Sequence, residues 1–155
     1  MKSFTLFLSC LILSIAVFAQ RSNLCDRPIL ADRLPAFLNI PQYFDYIQAK
    51  QCQATSKKPL LIYFTARLSA NAKKLEQVLA GDTAVMRLLN HFIIVTLYVD
   101  DEQVGGKNLL LEEQKYSCKT QPQYIIESFQ DKWQGMIGDV SKETFINFVQ
   151  ANVPK

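Results

Sequence analysis

The stretch from Lys58 to Glu76, KPLLIYFTARLSANAKKLE, decides how the rest of the chain is read. Leu60 to Thr65 (LLIYFT) is a short, unbroken apolar run, which predicts a central strand buried on both faces. Ala66-Arg67-Leu68 is the turn that follows. Ser69 to about Ala80 then predicts a helix, with Leu75, Val78 and Leu79 at core spacing. Serine is a good helix N-cap, so Ser69 suits the junction; Ala72 follows it at the spacing S-x-x-A.

Working outward, residues 42–54 (QYFDYIQAKQCQA) predict a helix with Pro41 at its N-terminal edge. Tyr43, Phe44 and Ile47 are its expected core residues. Gly81-Asp82 breaks the Ser69 helix, and Asp82 is placed to cap a short one over 83–90. Phe92 to Val99 (FIIVTLYV) is the second clear strand. A polar loop over 100–108 contains Gly105-Gly106, and Leu109 to Tyr116 predicts a helix. Gln123 to Phe129 and Lys132 to Ile137, separated by a turn at Gln130-Asp131, read as an antiparallel hairpin. Ser141 opens a last helix to Asn152, with Phe145, Phe148 and Val149 on its apolar face. The fold class is α/β: a mixed central sheet flanked by helices.

The ends of the chain speak to destination. Lys2 followed by the apolar run Phe4 to Phe18 predicts a signal peptide over residues 1–19, cut between Ala19 and Gln20. The run is short for a membrane span, which needs about 20 residues; an uncleaved anchor or a lipoprotein through Cys10 fits less well. The chain is thus expected to be exported, to a bacterial periplasm, with no stable membrane span after cleavage. Residues 20–41 carry Pro28, Pro35 and Pro41. They predict an N-terminal arm across a domain of 42–155, packed down by Ile29, Leu30, Leu34, Phe37, Leu38 and Ile40.

Composition narrows the function classes. The 155 residues carry 17 basic and 14 acidic side chains, a net charge of +3 without a basic stripe, which argues against nucleic acid. With one histidine and no ligand spacing, no metal or other cofactor is expected. Asp100, Asp101 and Glu102 read as a solvated loop, too poor in oxygen ligands for calcium. After signal cleavage Cys25, Cys52 and Cys118 remain. Cys25 and Cys52 are the better disulfide candidates; a structural bridge, two free thiols and an exchanging redox pair all stay open. Cys118 is expected to be a buried structural thiol.

The chain resembles thioredoxin-like proteins, in particular the periplasmic C-terminal thioredoxin domain of the thiol:disulfide interchange proteins. The resemblance rests on Lys58-Pro59, Phe64-Thr65, the run Lys73-Lys74-Leu75-Glu76, the strand end Leu97-Tyr98-Val99-Asp100-Asp101, and Tyr116 six residues before Pro122. It spans about residues 42–152. It implies a thioredoxin-like fold and a cis-proline at Pro122. The family's C-x-x-C, whose thiolate is stabilised by a helix N-terminus, aligns with Ser69 and Ala72. A degenerate redox site is therefore expected, because exchange needs an attacking thiolate and a second sulfur.

Serine catalysis at Ser69 would need a base within about 3 Å. The one histidine, His91, is expected at the opposite end of its strand, on the surface. A peptide groove between Arg67-Leu68-Ser69 and Thr120-Gln121-Pro122 is expected to serve binding by strand addition. The expected function is a redox-inactive protein- or peptide-binding or accessory module with a partner in the cell envelope. The alternative is a thiol:disulfide oxidoreductase using Cys25 and Cys52.

Overall fold

The computed structural model describes residues 24–154. The expected signal peptide, residues 1–19, and the first residues of the expected arm lie outside the described residues. From the arm's short 3-10 turn at Phe37–Asn39 the order is α1 (Tyr46–Ser56), β1 (Leu60–Thr65), α2 (Ala70–Leu79), α3 (Thr83–Leu89), β2 (Ile93–Tyr98), α4 (Gly105–Tyr116), β3 (Gln123–Glu127), β4 (Trp133–Ile137) and α5 (Lys142–Ala151). The sheet order is β2-β1-β3-β4. β2 runs parallel to β1, while β3 is antiparallel to both β1 and β4. The mixed sheet flanked by helices is the architecture the sequence predicts.

Period-two alternation along β1 divides the core into two layers. Leu61 and Tyr63 point to one face, where Leu75, Leu79, Phe145 and Val149 from α2 and α5 meet them. Leu60, Ile62 and Phe64 point to the other, against Tyr46 and Ala49 of α1 and Tyr116 of α4. All six residues of β1 are buried, as its unbroken apolar run requires. Tyr63 and Tyr124 stack with centroids 5.0 Å apart, and Phe37 closes over Tyr63 at 4.8 Å. Phe37, from the arm, is thus part of the central core.

The caps are local and chemical. Ser69, Asp82 and Ser141 each accept hydrogen bonds from main-chain N–H groups of the first turn of their helices. Two helix starts differ from the sequence reading. α1 begins at Tyr46, because Asp45 accepts from the Gln48 N–H at 2.8 Å and caps it there. Residue 43 instead lies along the outer edge of β2: Tyr43 N–H donates to Ile94 O and Thr96 N–H donates to Tyr43 O, both at 2.9 Å. Ile47 consequently faces water, as does Val78 on α2.

α4 starts four residues early, at Gly105. Asp101 accepts from the Gln103 and Val104 N–H groups, at 3.0 and 3.1 Å, and so nucleates the turn. A Cβ on Gly105 would lie 2.5 Å from Val99 O, so only glycine lets this turn close.

The arm is fastened as well as packed. The buried Gln48 accepts from Ile29 N–H at 2.9 Å and donates to Leu24 O and Arg27 O at 2.6 and 2.9 Å. Tyr43 Oη donates to Cys25 O at 2.7 Å. Cys25 is bridged to Cys52 across a Cα–Cα distance of 5.6 Å. Leu34 is buried, Leu30, Leu38 and Ile40 pack partly, and Ile29 is exposed. Among the described residues no helix is long and apolar enough to cross a membrane.

Candidate functional site at the head of helix α2

β1 ends at Thr65, and Ala66–Leu68 carry the chain to Ser69. Ser69 N–H donates to Ala66 O at 3.0 Å, which closes the turn. Its hydroxyl accepts from the Ala72 N–H at 3.3 Å, and Ala72 itself is buried beneath the helix. The serine oxygen is thereby committed to capping. Leu68 stands beside it with 87% of its surface exposed.

The loop is held from below by the acidic pair at the end of β2. Asp100 accepts from the Arg67 N–H at 2.9 Å. Asp101, its side chain fully buried, pairs with the Arg67 guanidinium and with Arg33 of the arm, the latter at 2.8 Å. The sequence reading of Asp101 as part of a solvated loop is thus corrected: its side chain is buried under two arginines. Burial alone would raise its pKa, but the N–H donors of Gln103 and Val104 and the Arg33 charge outweigh it and hold the carboxyl below its ordinary value. One aspartate joins the arm, the start of α4 and the turn before Ser69.

Beside this turn stands the loop before β3. Phe64 pairs with Gln123, so β1 and β3 bring Ala66 and Pro122 to the same end of the sheet. The Gln121–Pro122 bond is cis. Pro122 O accepts from the Gly138 N–H at 2.8 Å, whereas among the described residues the Gln121 main-chain N–H and C=O have no partner. Arg67, Leu68 and Ser69 thus leave one strand end, and Thr120, Gln121 and Pro122 enter its neighbour.

Cys118 does not occupy the buried position expected for it. It is half-exposed, with its sulfur accepting from the Thr120 N–H at 3.4 Å. The positive φ of Ser117 turns the chain outward after α4 and takes Cys118 off the core face.

Glu112, fully buried on α4, lies under this loop: its Oε2 accepts from Gln121 Nε2 at 2.7 Å, and its Oε1 has no partner among the described residues. Burial pushes the carboxyl up to about 7, against which the Gln121 hydrogen bond acts only partly. In an unfolded chain the same group titrates near 4.5. The folded state therefore holds the proton more tightly, and stability present below pH 4.5 is lost as pH rises through 7. Urea denaturation is expected to register a loss of up to about 3 kcal/mol over this window. Glu112→Gln removes the slope; an unchanged slope in that variant would assign it to another group.

The other sequence candidates sit elsewhere. His91 is exposed just before β2, at the end of the sheet opposite Ser69. The Cys25–Cys52 bridge is at that same far end, beside a cleft of about 300 Å³ lined by Lys58, Phe92 and Ile93. The six residues of β1, at about 3.3 Å each, put roughly 20 Å between the two ends. Cys52 is the seventh residue of α1, well inside the helix and away from an N-terminus that would favour a thiolate. Among the described residues no group of three His, Cys, Asp or Glu side chains is gathered to hold a metal ion.

A parallel strand pair extended by an antiparallel hairpin, a strand-turn-helix at its head and a cis-proline beside it identify the architecture. The chain has the thioredoxin fold. A thioredoxin from Thermus thermophilus matches it with a TM-score of 0.57 at 16% identity, over 71% of this chain and 85% of that one. The oxidised DsbD C-terminal domain of Neisseria meningitidis matches at 0.55 and 15% identity, over 72% and 99%. The DsbH oxidoreductase matches at 0.57 and 15% identity, over 77% and 89%. No family model and no curated protein matches the chain. Identities this low carry the thioredoxin fold across, and leave the chemistry to be argued from this chain's own residues.

Sequence reasoning missed Arg33, Gln48, Asp101, Glu112 and Glu127 as organising residues. One signal was available. Asp101, four residues before the first helical glycine, has the short acceptor side chain that starts a helix.

Proposed function

We propose that this is an exported, redox-inactive thioredoxin-fold protein that binds an extended peptide segment of a partner in the cell envelope. The observation that carries the reading is the capping of α2 by the Ser69 hydroxyl, with Ala72 one turn on. At the position from which a thiolate would attack there is an oxygen bound to the helix, and no second sulfur stands behind it. A serine hydroxyl stays protonated near neutral pH and forms no disulfide. What remains is a surface: exposed Leu68 on one lip and the open main chain of Gln121 on the other, suited to an added strand. Export is supported by the apolar run Phe4 to Phe18 behind Lys2, which has the pattern of a signal peptide, and by the Cys25–Cys52 disulfide, a bond that persists in oxidising compartments.

The test uses peptides selected on the purified protein from a random library. Leu68→Asp is the informative variant, because Leu68 touches nothing the fold needs, whereas Arg67 is tied to Asp101. It is expected to weaken peptide binding at least tenfold with no change in melting temperature. Equal affinity for wild type and variant would move the binding surface elsewhere.

A second reading has its own support. The Cys25–Cys52 pair is oxidised, Cys25 is half-exposed, and a cleft reaches the bridge. Under this reading an added dithiol reduces the Cys25–Cys52 bridge to two thiols and is itself oxidised to its disulfide, and the two thiols then reduce a disulfide substrate and re-form the bridge. The turnover would disappear in Cys52→Ser.

A further inference from the structure

The two edges of the sheet are treated differently. The outer edge of β2 is covered by residue 43, whose N–H and C=O are bonded to Ile94 and Thr96. The other edge is β4, the last strand of the sheet. Its sequence, WQGMI, has no charge and no proline, the devices by which sheet edges are usually blunted.

The register fixes which groups of β4 are open. Ser128 N–H donates to Lys132 O and Gly138 N–H donates to Pro122 O, both at 2.8 Å. In an antiparallel ladder the bonded pairs alternate. Gln134 and Met136 therefore spend their main-chain groups on β3, and those of Trp133, Gly135 and Ile137 point outward. Trp133 and Ile137 are exposed on the same face, 39% and 50%. Trp133 is held upright against the Tyr116 ring, centroids 5.3 Å apart. Gly135 between them leaves the edge without a side chain. A Cβ there would lie 2.7 Å from Ile125 Cδ1, so any larger residue requires the end of that side chain to shift.

We infer that β4 is a dimerisation edge, occupied by β4 of a second copy of this chain in antiparallel register about a two-fold axis at Gly135. The strand is complementary to itself. With Gly135 opposite its own copy, Trp133 of one protomer lies across from Ile137 of the other, twice. Aromatic and β-branched residues make a favourable cross-strand pair. The absence of charge within the strand offers nothing to select a charged peptide, and the two-fold arrangement is isologous and closed. The two four-stranded sheets become one continuous sheet.

Sedimentation of the purified, disulfide-bonded chain between about 1 and 500 µM, a range that brackets a weak dimer of small interface, is expected to show reversible monomer–dimer exchange. Ile137→Asp removes both cross-strand pairs at once and is expected to raise the dissociation constant at least tenfold. Its melting temperature, read at a concentration where wild type is monomeric, should be unchanged. Hydrogen exchange identifies the edge: the Trp133, Gly135 and Ile137 amides should slow with protein concentration, and those of Gln134 and Met136 should not. A monomer throughout the range, a dimer indifferent to Ile137→Asp, or slowing confined to other amides would each overturn the assignment.

Discussion

Glu127→Ala is expected to destabilise the protein by about 4 kcal/mol, the loss typical of leaving buried charges without their partner. Glu127 is fully buried at the end of β3. Its carboxylate receives Tyr46 Oη at 2.9 Å, the Tyr116 hydroxyl, and the ammonium groups of Lys50 and Lys115, each at 2.9 Å. Burial works to raise its pKa; the hydrogen bonds from Tyr116, Lys115, Lys50 and Tyr46 prevail and hold it below the ordinary carboxylate value. That sign places its contribution above the unfolded pKa and removes it as pH falls, the opposite window from Glu112. Truncation leaves two partly buried lysines and two tyrosine hydroxyls facing a gap. Urea denaturation of the variant checks the magnitude. Replacing Lys50 and Lys115 by methionine alongside Glu127→Leu should recover most of the loss, since a whole buried ionic group exchanged for apolar packing costs little. A loss below about 1 kcal/mol in Glu127→Ala would mean the lysines simply turn to solvent, as surface pairs do.

Reduction of the Cys25–Cys52 bridge is expected to cost about 3.5 kcal/mol. The two cysteines are 27 residues apart, and closing a loop of that length removes about this much chain entropy from the unfolded state. The native arm should stay in place when the bridge opens. Gln48, Tyr43, the Arg33–Asp101 pair and the buried Leu34 and Phe37 hold it independently. Denaturation with and without reductant, and in Cys25→Ser with Cys52→Ser, should give matching losses with the far-ultraviolet spectrum of the folded state unchanged. Unfolding of the arm on reduction alone would show that the bridge carries more than loop entropy.

Much of this protein can be read before it is folded. β1 and β2 announce themselves as apolar runs, and the parallel pairing and terminal hairpin follow from their order. Ser69, Asp82 and Ser141 cap where they stand because capping is a local affair of one side chain and the next turn. Residues whose role depends on distant partners are another matter. Asp101 looks solvated among its acidic neighbours until Arg33, 68 residues away, arrives over it. Glu127 reads as a polar strand end until Lys50, 77 residues away, and the tyrosines close around it. Cys118 looks like a core thiol because the left-handed turn at Ser117, with φ of 54°, leaves no mark in the composition. The start of α1 is misplaced for a related reason: residue 43 is drawn away from the helix by hydrogen bonds to β2, which no local propensity contains. At the candidate site, Ser69, Ala72 and Pro122 were legible by position, whereas the support beneath them, Asp101 under Arg67 and Glu112 under Gln121, was not.

The most direct test of the account is thiol–disulfide exchange, measured as catalysed reduction of a disulfide substrate by the wild type, by Cys52→Ser, and by Ser69→Cys combined with Ala72→Cys. With an added dithiol as electron donor, background turnover is expected for the first two and a gain of catalysis in the third, where thiols are restored to the head of α2. Turnover in the wild type that vanishes in Cys52→Ser would contradict the account and assign the chemistry to the Cys25–Cys52 bridge.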